Sequence, residues 1–301
     1  MNFQKTFDSA TCRTSAMKNK DFIAMILTHG RPDKVHTYNS LKKQGYTGPI
    51  CVLIDNEDKT AEQHRKKFGD QVQVFDKPRV ARDVDSGDNL QHRAAIVYAR
   101  NAAFDVARKL GYRYFMQLDD DYTRFNYKAG AELEYVEKPV KSLDAVFDAL
   151  LDFYKQSNAT SIAIAQGGDF IGGKSGSQGQ KLHIKRKCMN TWICDVEKPF
   201  KFCGRMNEDV TTYTCEGRRG HLFMQIPNLE IKQLATQSTA GGMTELYLRA
   251  GTYTKSFYTI LYAPSCTKIN EMGAVKRRLH HSIQWNNAAP KLLHEKWRKA
   301  A

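Results

Sequence analysis

The sequence predicts an α/β protein whose Rossmann-like, mainly parallel sheet is flanked by helices. Three observations favour this class: apolar runs of strand length recur in the first half of the chain, helical patterns separate them, and polar residues follow several runs directly. Strands buried on both faces read as continuous apolar runs, and they alternate with helices in α/β folds. We expect a single domain over residues 21–301, preceded by a polar N-terminal arm at residues 1–20.

The elements of the first half follow from apolar periodicity and from the positions of Gly and Pro. Gly30 and Pro32 end the first strand, and Gly111 closes the longest helical pattern. In chain order, the predicted elements are strand 22–27, helix 34–44, strand 50–54, helix 59–68, strand 71–75, helix 89–110 and strand 112–118.

The second half of the chain is more mixed. Residues 166–180 hold six glycines and predict a mobile loop that leads into a basic stretch at residues 181–187. No internal repeat or change of composition marks a second domain. In chain order, the predicted elements are helix 142–156, strand 161–165, a helix from Glu208 to the Gly217–Gly220 region, and strands 222–226, 229–234 and 256–262.

Composition limits the partners and the compartment. The chain has 46 Lys and Arg against 32 Asp and Glu, and its net charge of +14 favours a polyanionic partner; a merely basic soluble protein is the alternative. No stretch approaches the ~18 consecutive apolar residues of a membrane span, and the first residues lack the apolar block of a secretory signal. The seven cysteines form no CxxC pair, which favours reduced thiols in a cytoplasm.

Three predicted strand ends carry polar residues, and ligands of open parallel sheets bind at such ends. Residues 28–31 and 55–58 suit a nucleotide, because carboxylates accept from base or ribose groups and an arginine pairs with phosphate. Residues 119–121 are three successive aspartates, which repel one another unless a cation compensates. Asp119 and Asp121 suit a hard divalent metal ion, and an acidic surface turn or helix cap is the alternative.

A second acidic motif, Asn207-Glu208-Asp209-Val210, opens a predicted helix. A carboxylate at this position is also a favourable helix cap. Beside the aspartates it has a chemical meaning, because a sugar transfer that inverts configuration needs one carboxylate to deprotonate the acceptor hydroxyl.

Over residues 24–121 these features resemble the nucleotide-binding half of the GT-A glycosyltransferases. The shared features are Thr28 and Arg31 after the first strand, Asp55 after the second, the helix pair Arg100-Asn101, the DxD motif Leu118-Asp119-Asp120-Asp121, and Glu208-Asp209 as the ED motif of inverting members. More narrowly, residues 27–32, 119–122 and 207–210 resemble the TET/JBP-associated glycosyltransferases. That resemblance implies largely phage-borne enzymes that add sugars to 5-hydroxymethylpyrimidines in DNA.

The resemblance implies a nucleotide-sugar-binding half at residues 21–125 and an acceptor-binding half with insertions at residues 126–301. Asp209, beside Glu208, is implied to be the catalytic base. The residues implied to bind a UDP-sugar are Thr28, Gly30, Arg31, Asp55, Arg93, Asp119 and Asp120. Those implied to hold Mn²⁺ or Mg²⁺ are Asp119, Asp121 and one of the late histidines His280 and His281, for which the polar surface is the alternative.

Basic residues are the candidates for positioning a DNA acceptor through its phosphates. They are Lys181, Lys185, Arg186, Lys187, Lys276, Arg277 and Arg278. An aromatic residue such as Trp192 or Phe202 would stack on a base flipped into the pocket. The alternatives are core packing for the aromatics and a charged strand edge for the basic run.

We therefore expect a metal-dependent, inverting glycosyltransferase that moves a sugar from a UDP-sugar to the hydroxymethyl group of 5-hydroxymethylcytosine or 5-hydroxymethyluracil in phage DNA, acting in the host cytoplasm. The same chemistry on a glycan or protein acceptor is one alternative. A nucleotidyltransferase and a nucleic-acid-binding module without catalysis are the others.

Overall fold

The structure, a computed structural model, describes residues 16–88, 93–130, 134–166, 187–234, 251, 253–272 and 277–298. Its strands are β1 (Phe22–Leu27), β2 (Ile50–Asp55), β3 (Val72–Phe75), β4 (Tyr114–Asp119), β5 (Tyr122–Ala129), β6 (Tyr135–Pro139), β7 (Ser161–Gln166), β8 (Trp192–Asp195), β9 (Phe223–Gln233), β10 (Thr267–Met272) and β11 (Arg278–Ile283). Its α-helices are α1 (His36–Lys43), α2 (Ala61–Phe68), α3 (Lys77–Arg82), α4 (Val97–Lys109), α5 (Leu143–Gln156), α6 (Glu208–Arg218), α7 (Thr254–Tyr262) and α8 (Trp285–Ala288). Turns of 3-10 helix lie at Pro32–Lys34, Gly69–Gln71 and Glu295–Trp297.

A mixed sheet of nine described strands has the order β3-β2-β1-β4-β8-β7-β9-β5-β6. The strands β3, β2, β1 and β4 are mutually parallel, which confirms the Rossmann-like first half. In the second half β7 pairs parallel with β9, whereas β8, β5 and β6 run antiparallel to their neighbours. The strands β10 and β11 form a separate antiparallel hairpin. The predicted α/β class with helices around a mixed sheet is therefore confirmed.

The sheet is covered on both faces. In β1, Ala24 and Ile26 belong to one apolar cluster with the side chains of α5, whereas Met25 and Leu27 belong to a second cluster with the side chains of α4. Successive residues of a strand point to opposite faces, so a strand that is apolar throughout is buried on both sides. This is why strands of the first half could be predicted from the sequence.

Several boundaries and two assignments differ from the prediction. The helix predicted over 89–110 is described only from Val97, and residues 89–92 lie outside the described part of the chain. The next strand begins at Tyr114 rather than at residue 112, because Gly111 has a positive φ and the N–H of Tyr112 donates to Ala107 O to close the helix. The strands predicted at 222–226 and 229–234 are one strand, β9, whose pairing with β7 is interrupted by a bulge next to Pro227.

The prediction of a strand at 256–262 is wrong, since these residues lie in helix α7. The segment is rich in β-branched and aromatic residues, but its small polar residues Ser256 and Thr259 are buried against neighbouring elements at helical spacing. Tertiary packing therefore overrides local strand propensity. The sequence analysis also did not predict the elements α3, β5, β6, β8, β10, β11 and α8.

The end of the predicted N-terminal arm docks on the domain. Residues 1–15 lie outside the described part, but Met17 is buried and the N–H groups of Lys18 and Asn19 donate to the Asp148 carboxylate on α5 at 2.9 and 3.0 Å. The glycine-rich stretch falls almost wholly within residues 167–186, which are not described. None of the described helices is long and apolar enough to span a membrane.

Candidate active site

The carboxyl ends of three neighbouring strands form one edge of the sheet. Leu27 of β1 lies level with Leu53 of β2 and with Asp119 of β4. Thr28 and Asp55 therefore lie near the acidic residues that follow β4, as parallel topology requires.

The acidic turn, residues 119–121, joins β4 to β5, and α1 holds its backbone. The N–H of Thr37 donates to Asp120 O at 3.2 Å, and Thr37 Oγ1 donates to Asp119 O at 2.5 Å. The same hydroxyl accepts from the N–H of Tyr122 at 2.9 Å. Because the backbone is fixed at three points, the directions of its three carboxylates are set by the fold.

Asp120 ties the acidic turn to the first loop. Its carboxylate accepts from Thr28 Oγ1 at 2.6 Å and from Arg31 Nη2 at 3.0 Å, and the residue is only 4% exposed. Thr28, Arg31 and Asp120, which were all predicted to contact the nucleotide sugar, thus contact one another. In this arrangement Asp120 shapes the loop that carries Thr28 and Arg31, and its own oxygens are already engaged.

Asp119 and Asp121 differ from Asp120 because their carboxylates face the site. Burial raises the pKa of Asp121 to about 7, and the charges of Asp119 and Asp120 add to this effect. No described side chain donates a hydrogen bond to the Asp121 carboxylate. Burial also raises the pKa of Asp119 to about 6, although Arg100 opposes the rise. Two such carboxylates gain most from a cation, which would favour their ionised forms.

Arg100 connects the acidic turn to the second acidic motif. Its Nη2 donates to Asp119 Oδ1 at 3.0 Å and its Nε donates to Glu208 Oε1 at 2.9 Å. The guanidinium is 2% exposed, while the carboxylates of Asp119 and Glu208 are 23% and 12% exposed. Burial alone would lower the pKa of Arg100, but the two flanking carboxylates hold it above the ordinary value, so the guanidinium stays charged. The two motifs, far apart in sequence, therefore share one buried cation.

Asp209 follows Glu208 at the first turn of α6. Burial raises the pKa of Asp209 to about 7, and the charge of Glu208 adds to the rise while Arg100 opposes it. One oxygen of Asp209 accepts from the N–H of Val210 at 2.7 Å. Asn207 precedes the helix in the left-handed conformation, with φ of 58°, and this turn directs the acidic pair into the site.

The end of β2 forms a second charged group. Asp55 is 4% exposed and contacts His29 Nδ1 at 2.7 Å and Lys77 Nζ at 3.3 Å. Asp58 accepts from the N–H of Gly30 at 2.8 Å. Asp55 raises the pKa of His29 through this contact. The first loop is therefore held from both sides, by the acidic turn and by the end of β2.

Arg93 lies at the rim of this group. It pairs with Glu57, to which its Nε donates at 3.1 Å, and Glu57 also lies 3.9 Å from Lys77 Nζ. The predicted role of Arg93 near a phosphate or sugar requires this exposed pair to open, which costs little for an ion pair at the surface.

The late histidines lie on β11, beside the second acidic motif. Asn207 Nδ2 donates to His281 Nδ1 at 3.3 Å and to Thr259 Oγ1 of α7 at 2.6 Å. Burial, together with the charges of His280 and Lys255, lowers the pKa of His281 to about 4, so the imidazole is neutral at pH 7. A neutral imidazole is the form that binds metals; the role of either histidine stays a prediction.

The basic residues predicted to contact DNA divide into two groups. Lys181, Lys185, Arg186 and Lys276 lie outside the described residues. Lys187, Arg277 and Arg278 are described, and Arg277 pairs with Glu271 at the tip of the β10–β11 hairpin.

The structure contradicts stacking of a base on Trp192. Trp192 is 0% exposed and its ring packs edge-on against Phe202, with centroids 4.8 Å apart, and against Phe223. Phe202 is likewise buried, at 1% exposed. Trp192 lies on β8 in the middle of the sheet and Phe202 packs on its ring, so both rings belong to the core and the core alternative is the right one.

Sequence reasoning missed the main electrostatic links of the site. It named Arg100 only as part of a family pattern, and it did not name His29, Asp58 or Lys77 as partners of the β2 end. One signal was available for Arg100: a charged residue at a position of α4 that otherwise faces the core. Lys77 had no such signal, since α3 itself was not predicted.

The site therefore combines several carboxylates with two buried cations, Arg100 and Lys77. Within the described residues no three His, Cys, Asp or Glu side chains converge as a complete metal site. Asp119 and Asp121 supply oxygen ligands of the type that Mg²⁺ and Mn²⁺ prefer, and such ions commonly complete their shell with phosphate oxygens and water. The donor set therefore fits a divalent ion held jointly with a phosphorylated ligand.

Comparisons with known proteins identify a family for this chain. The family described as TET-Associated Glycosyltransferase matches residues 22–242. A comparison with curated proteins found no match. Two solved structures are similar in overall shape. One is a mycobacterial protein that is 9% identical, with a TM-score of 0.45 and coverage of 94% of this chain and 88% of that chain. The other is glucosyl-3-phosphoglycerate synthase from Mycobacterium tuberculosis in complex with Mn²⁺, UDP and phosphoglyceric acid, 10% identical, with a TM-score of 0.43 and coverage of 93% and 89%.

Proposed function

This chain belongs to the TET-associated glycosyltransferase family and is a glycosyltransferase, and from that premise we propose that it moves a sugar from a UDP-sugar to a hydroxymethylpyrimidine in DNA. The transfer inverts the configuration at the anomeric carbon and depends on a divalent metal ion. The proposed acceptor is 5-hydroxymethylcytosine or 5-hydroxymethyluracil of phage DNA, modified in the host cytoplasm. The net charge of +14 supports a polyanionic acceptor.

One observation carries the proposal: buried Arg100 joins the acidic turn to the helix that begins with Glu208 and Asp209. A transfer of this kind needs a group that compensates the leaving diphosphate and a base that activates the acceptor, within the reach of one sugar ring. Two neighbouring nitrogens of one buried guanidinium thus hold Asp119 and Glu208 together. Both chemical functions therefore belong to one site.

The donor side is assigned to the first loop, the end of β2 and the acidic turn. Asp55, at the end of β2, is proposed to accept from the uracil N–H, and Arg31 to pair with a phosphate oxygen. Asp119 and Asp121 would hold Mn²⁺ or Mg²⁺. When bound, such an ion neutralises negative charge that develops on the departing UDP.

The acceptor side is assigned to Asp209. Its carboxylate takes the proton of the hydroxymethyl group while that oxygen forms a bond to the anomeric carbon. The bond from this carbon to the β-phosphate oxygen breaks, and its electron pair leaves with UDP. A base whose pKa lies near 7 is suited to this step, because about half of it is ionised at neutral pH and it still takes the proton readily.

Incubation with matched DNA substrates tests the proposal. DNA with hydroxymethylated or unmodified pyrimidines is mixed with a panel of UDP-sugars and Mn²⁺ or Mg²⁺, and nucleoside masses are read after digestion. We expect a gain of one sugar on the hydroxymethylated DNA alone, with release of UDP.

Asp209→Asn is expected to lose this activity, and Asp70→Asn, which removes an exposed carboxylate far from the site, is expected to keep it. Release of pyrophosphate instead of UDP would indicate a nucleotidyltransferase. Hydrolysis of a UDP-sugar without any gain of mass on DNA would indicate a different acceptor for the same chemistry.

A further inference from the structure

Lys255 is placed over the second acidic motif by its position on α7. It lies one helical turn before Thr259, and residues four apart share a helix face. Thr259 Oγ1 accepts from Asn207 Nδ2 at 2.6 Å, so this face of α7 covers the start of α6. The helix α7 also packs on the β10–β11 hairpin that carries His280 and His281.

The surroundings of Lys255 are cationic, and its ammonium has no partner among the described residues. It is half-buried and makes no hydrogen bond or ion pair there. Burial lowers the pKa of Lys255, Arg278 lowers it further, and Asp209 alone opposes this. Next to it, His280 Nδ1 is buried without a hydrogen-bond partner in the described part of the chain. A half-buried ammonium that only one carboxylate opposes and that makes no ion pair is costly, and a bound anion would reduce that cost.

The geometry of displacement decides which anion belongs there. In an in-line transfer the base and the leaving group lie on opposite faces of the anomeric carbon. The acidic turn and Arg31 lie on the leaving-group side, at the ends of β1 and β4. The charge of Asp209 acts on Lys255, so the ammonium lies on the side of the proposed base, which is the side of the acceptor.

We propose that Lys255, with His280 beside it, forms a phosphate-binding subsite on the acceptor side of Asp209. A phosphodiester that adjoins the modified nucleotide of the acceptor fills this subsite. The inference rests on the proposed function, and it adds a contact that positions the acceptor hydroxyl for Asp209. The diphosphate of the donor offers the same chemistry, and the test separates the two sources.

Binding measurements on Lys255→Met and Lys255→Arg test the subsite. Fluorescence anisotropy with a short hydroxymethylated duplex is followed as a function of salt, and calorimetry measures UDP binding in the presence of Mn²⁺. We expect Lys255→Met to bind the duplex more weakly, with a slope of log affinity against log salt that is smaller by about 0.9, the value for one lost phosphate contact. Lys255→Arg keeps the charge and is expected to keep the wild-type slope. UDP affinity is expected to stay unchanged in both.

Lys66→Met is the matched control, since it removes one exposed lysine from α2 on a different part of the molecule. The subsite is overturned if Lys255→Met shows the same slope as Lys66→Met. Loss of UDP affinity with unchanged duplex binding would assign the phosphate to the donor and overturn the acceptor assignment. If the wild type transfers sugar to DNA and Lys255→Met keeps the wild-type salt slope, then the proposed function stands and only the subsite is overturned. A wild-type protein that neither binds nor modifies DNA removes both.

Discussion

Arg100 is the side chain whose removal would change the candidate site most, because it neutralises Asp119 and Glu208 at once. A buried ion pair adds little net stability when formed, since desolvation offsets the attraction, but loss of one partner leaves uncompensated charge in the interior. Arg100 is therefore better understood as a positioning residue that sets the geometry and the charge of two acidic motifs.

We expect Arg100→Met to lose stability by roughly 3–5 kcal/mol, the range for breaking a buried charge network. Its carboxylate partners would then take up protons more readily, so the acid limb of the pH–rate profile should move to higher pH. Arg100→Lys keeps the charge but lacks the planar fork for two contacts. Its stability and its pH–rate profile should therefore fall between those of the wild type and those of Arg100→Met. Urea unfolding and rate profiles measure both effects. A profile of Arg100→Met that coincides with the wild type would show that Arg100 has no role in positioning.

The pKa of Asp209 predicts how activity depends on pH. The acceptor proton can be taken only by the ionised carboxylate, so with saturating metal and donor kcat should rise with pH and reach half its maximum near 7. Asp209→Asn should lose about 10²–10⁴-fold in kcat, the usual contribution of a general base. Steady-state kinetics in constant ionic strength check this, with Asp70→Asn as the control. A wild-type kcat that does not change through this pH range would contradict the assignment of Asp209.

The chemistry-bearing residues were predictable from sequence, but their connections were not. Asp119 to Asp121 stand out because an apolar strand directly precedes them, which is a local pattern. The link from Arg100 to Glu208 spans 108 positions and depends on how α4 and α6 pack on the same sheet face. The different roles of the three aspartates could not be predicted either, because Asp120 accepts hydrogen bonds from Thr28 and Arg31, which follow another strand.

At the level of elements, the predictions succeeded where a segment has strong periodicity and a local signal for its ends. The helix α5 is amphipathic and begins after Ser142, whose hydroxyl accepts from the N–H of Ala145, so its bounds were predicted closely. The helix α7 carries strand-forming residues, and only its packing on α6 and β11 decides its conformation. The four-residue strand β8 is too short for any period to be detected.

The junction of α6 and α7 depends on Asn207, and its substitution gives a prediction at this scale. Asn207→Ala should lose more stability than Asn207→Gly, by about 1–2 kcal/mol, because only glycine adopts the left-handed conformation without strain. Both variants lose the contacts to Thr259 and His281. Asn190, with φ of 63°, is the matched control: the same two substitutions there should show the same strain difference without a change in acceptor KM. Equal unfolding free energies for the two Asn207 variants would contradict the prediction.

At the scale of the whole molecule, the sheet explains which half of the fold was predictable. The parallel strands β1, β2 and β4 are buried on both faces, so each is recognisable from its own residues. The antiparallel half includes β6, which is mostly exposed, and β5, in which polar and apolar residues mix. Pairing among distant segments defines these strands, and no single-segment pattern contains that information. The same topology brings the acidic turn and α6 to one end of the molecule.

The crowding of carboxylates at that end predicts a linkage between pH, metal and the stability of the fold. The folded-state pKa of Asp121, about 7, exceeds its ordinary value, so the ionised form is disfavoured in the folded state and stability should fall as pH rises towards and through 7. Asp121→Asn removes this penalty and should raise the Tm at pH 8 by roughly 2–4 °C, as about 1 kcal/mol does for a chain of this class. Mn²⁺ with UDP should raise the Tm of the wild type by binding the folded state, and should do so far less for Asp121→Asn. Differential scanning calorimetry measures both effects, with Asp152→Asn, an exposed carboxylate of α5, as the control. Two results together would contradict the acidic turn as the metal site: an Asp121→Asn variant that melts below the wild type at pH 8, and one that still gains the full Tm shift with Mn²⁺ and UDP. The first would mean that the fold depends on an ionised Asp121 in the absence of metal. Another group would then already supply the counter-charge for this carboxylate.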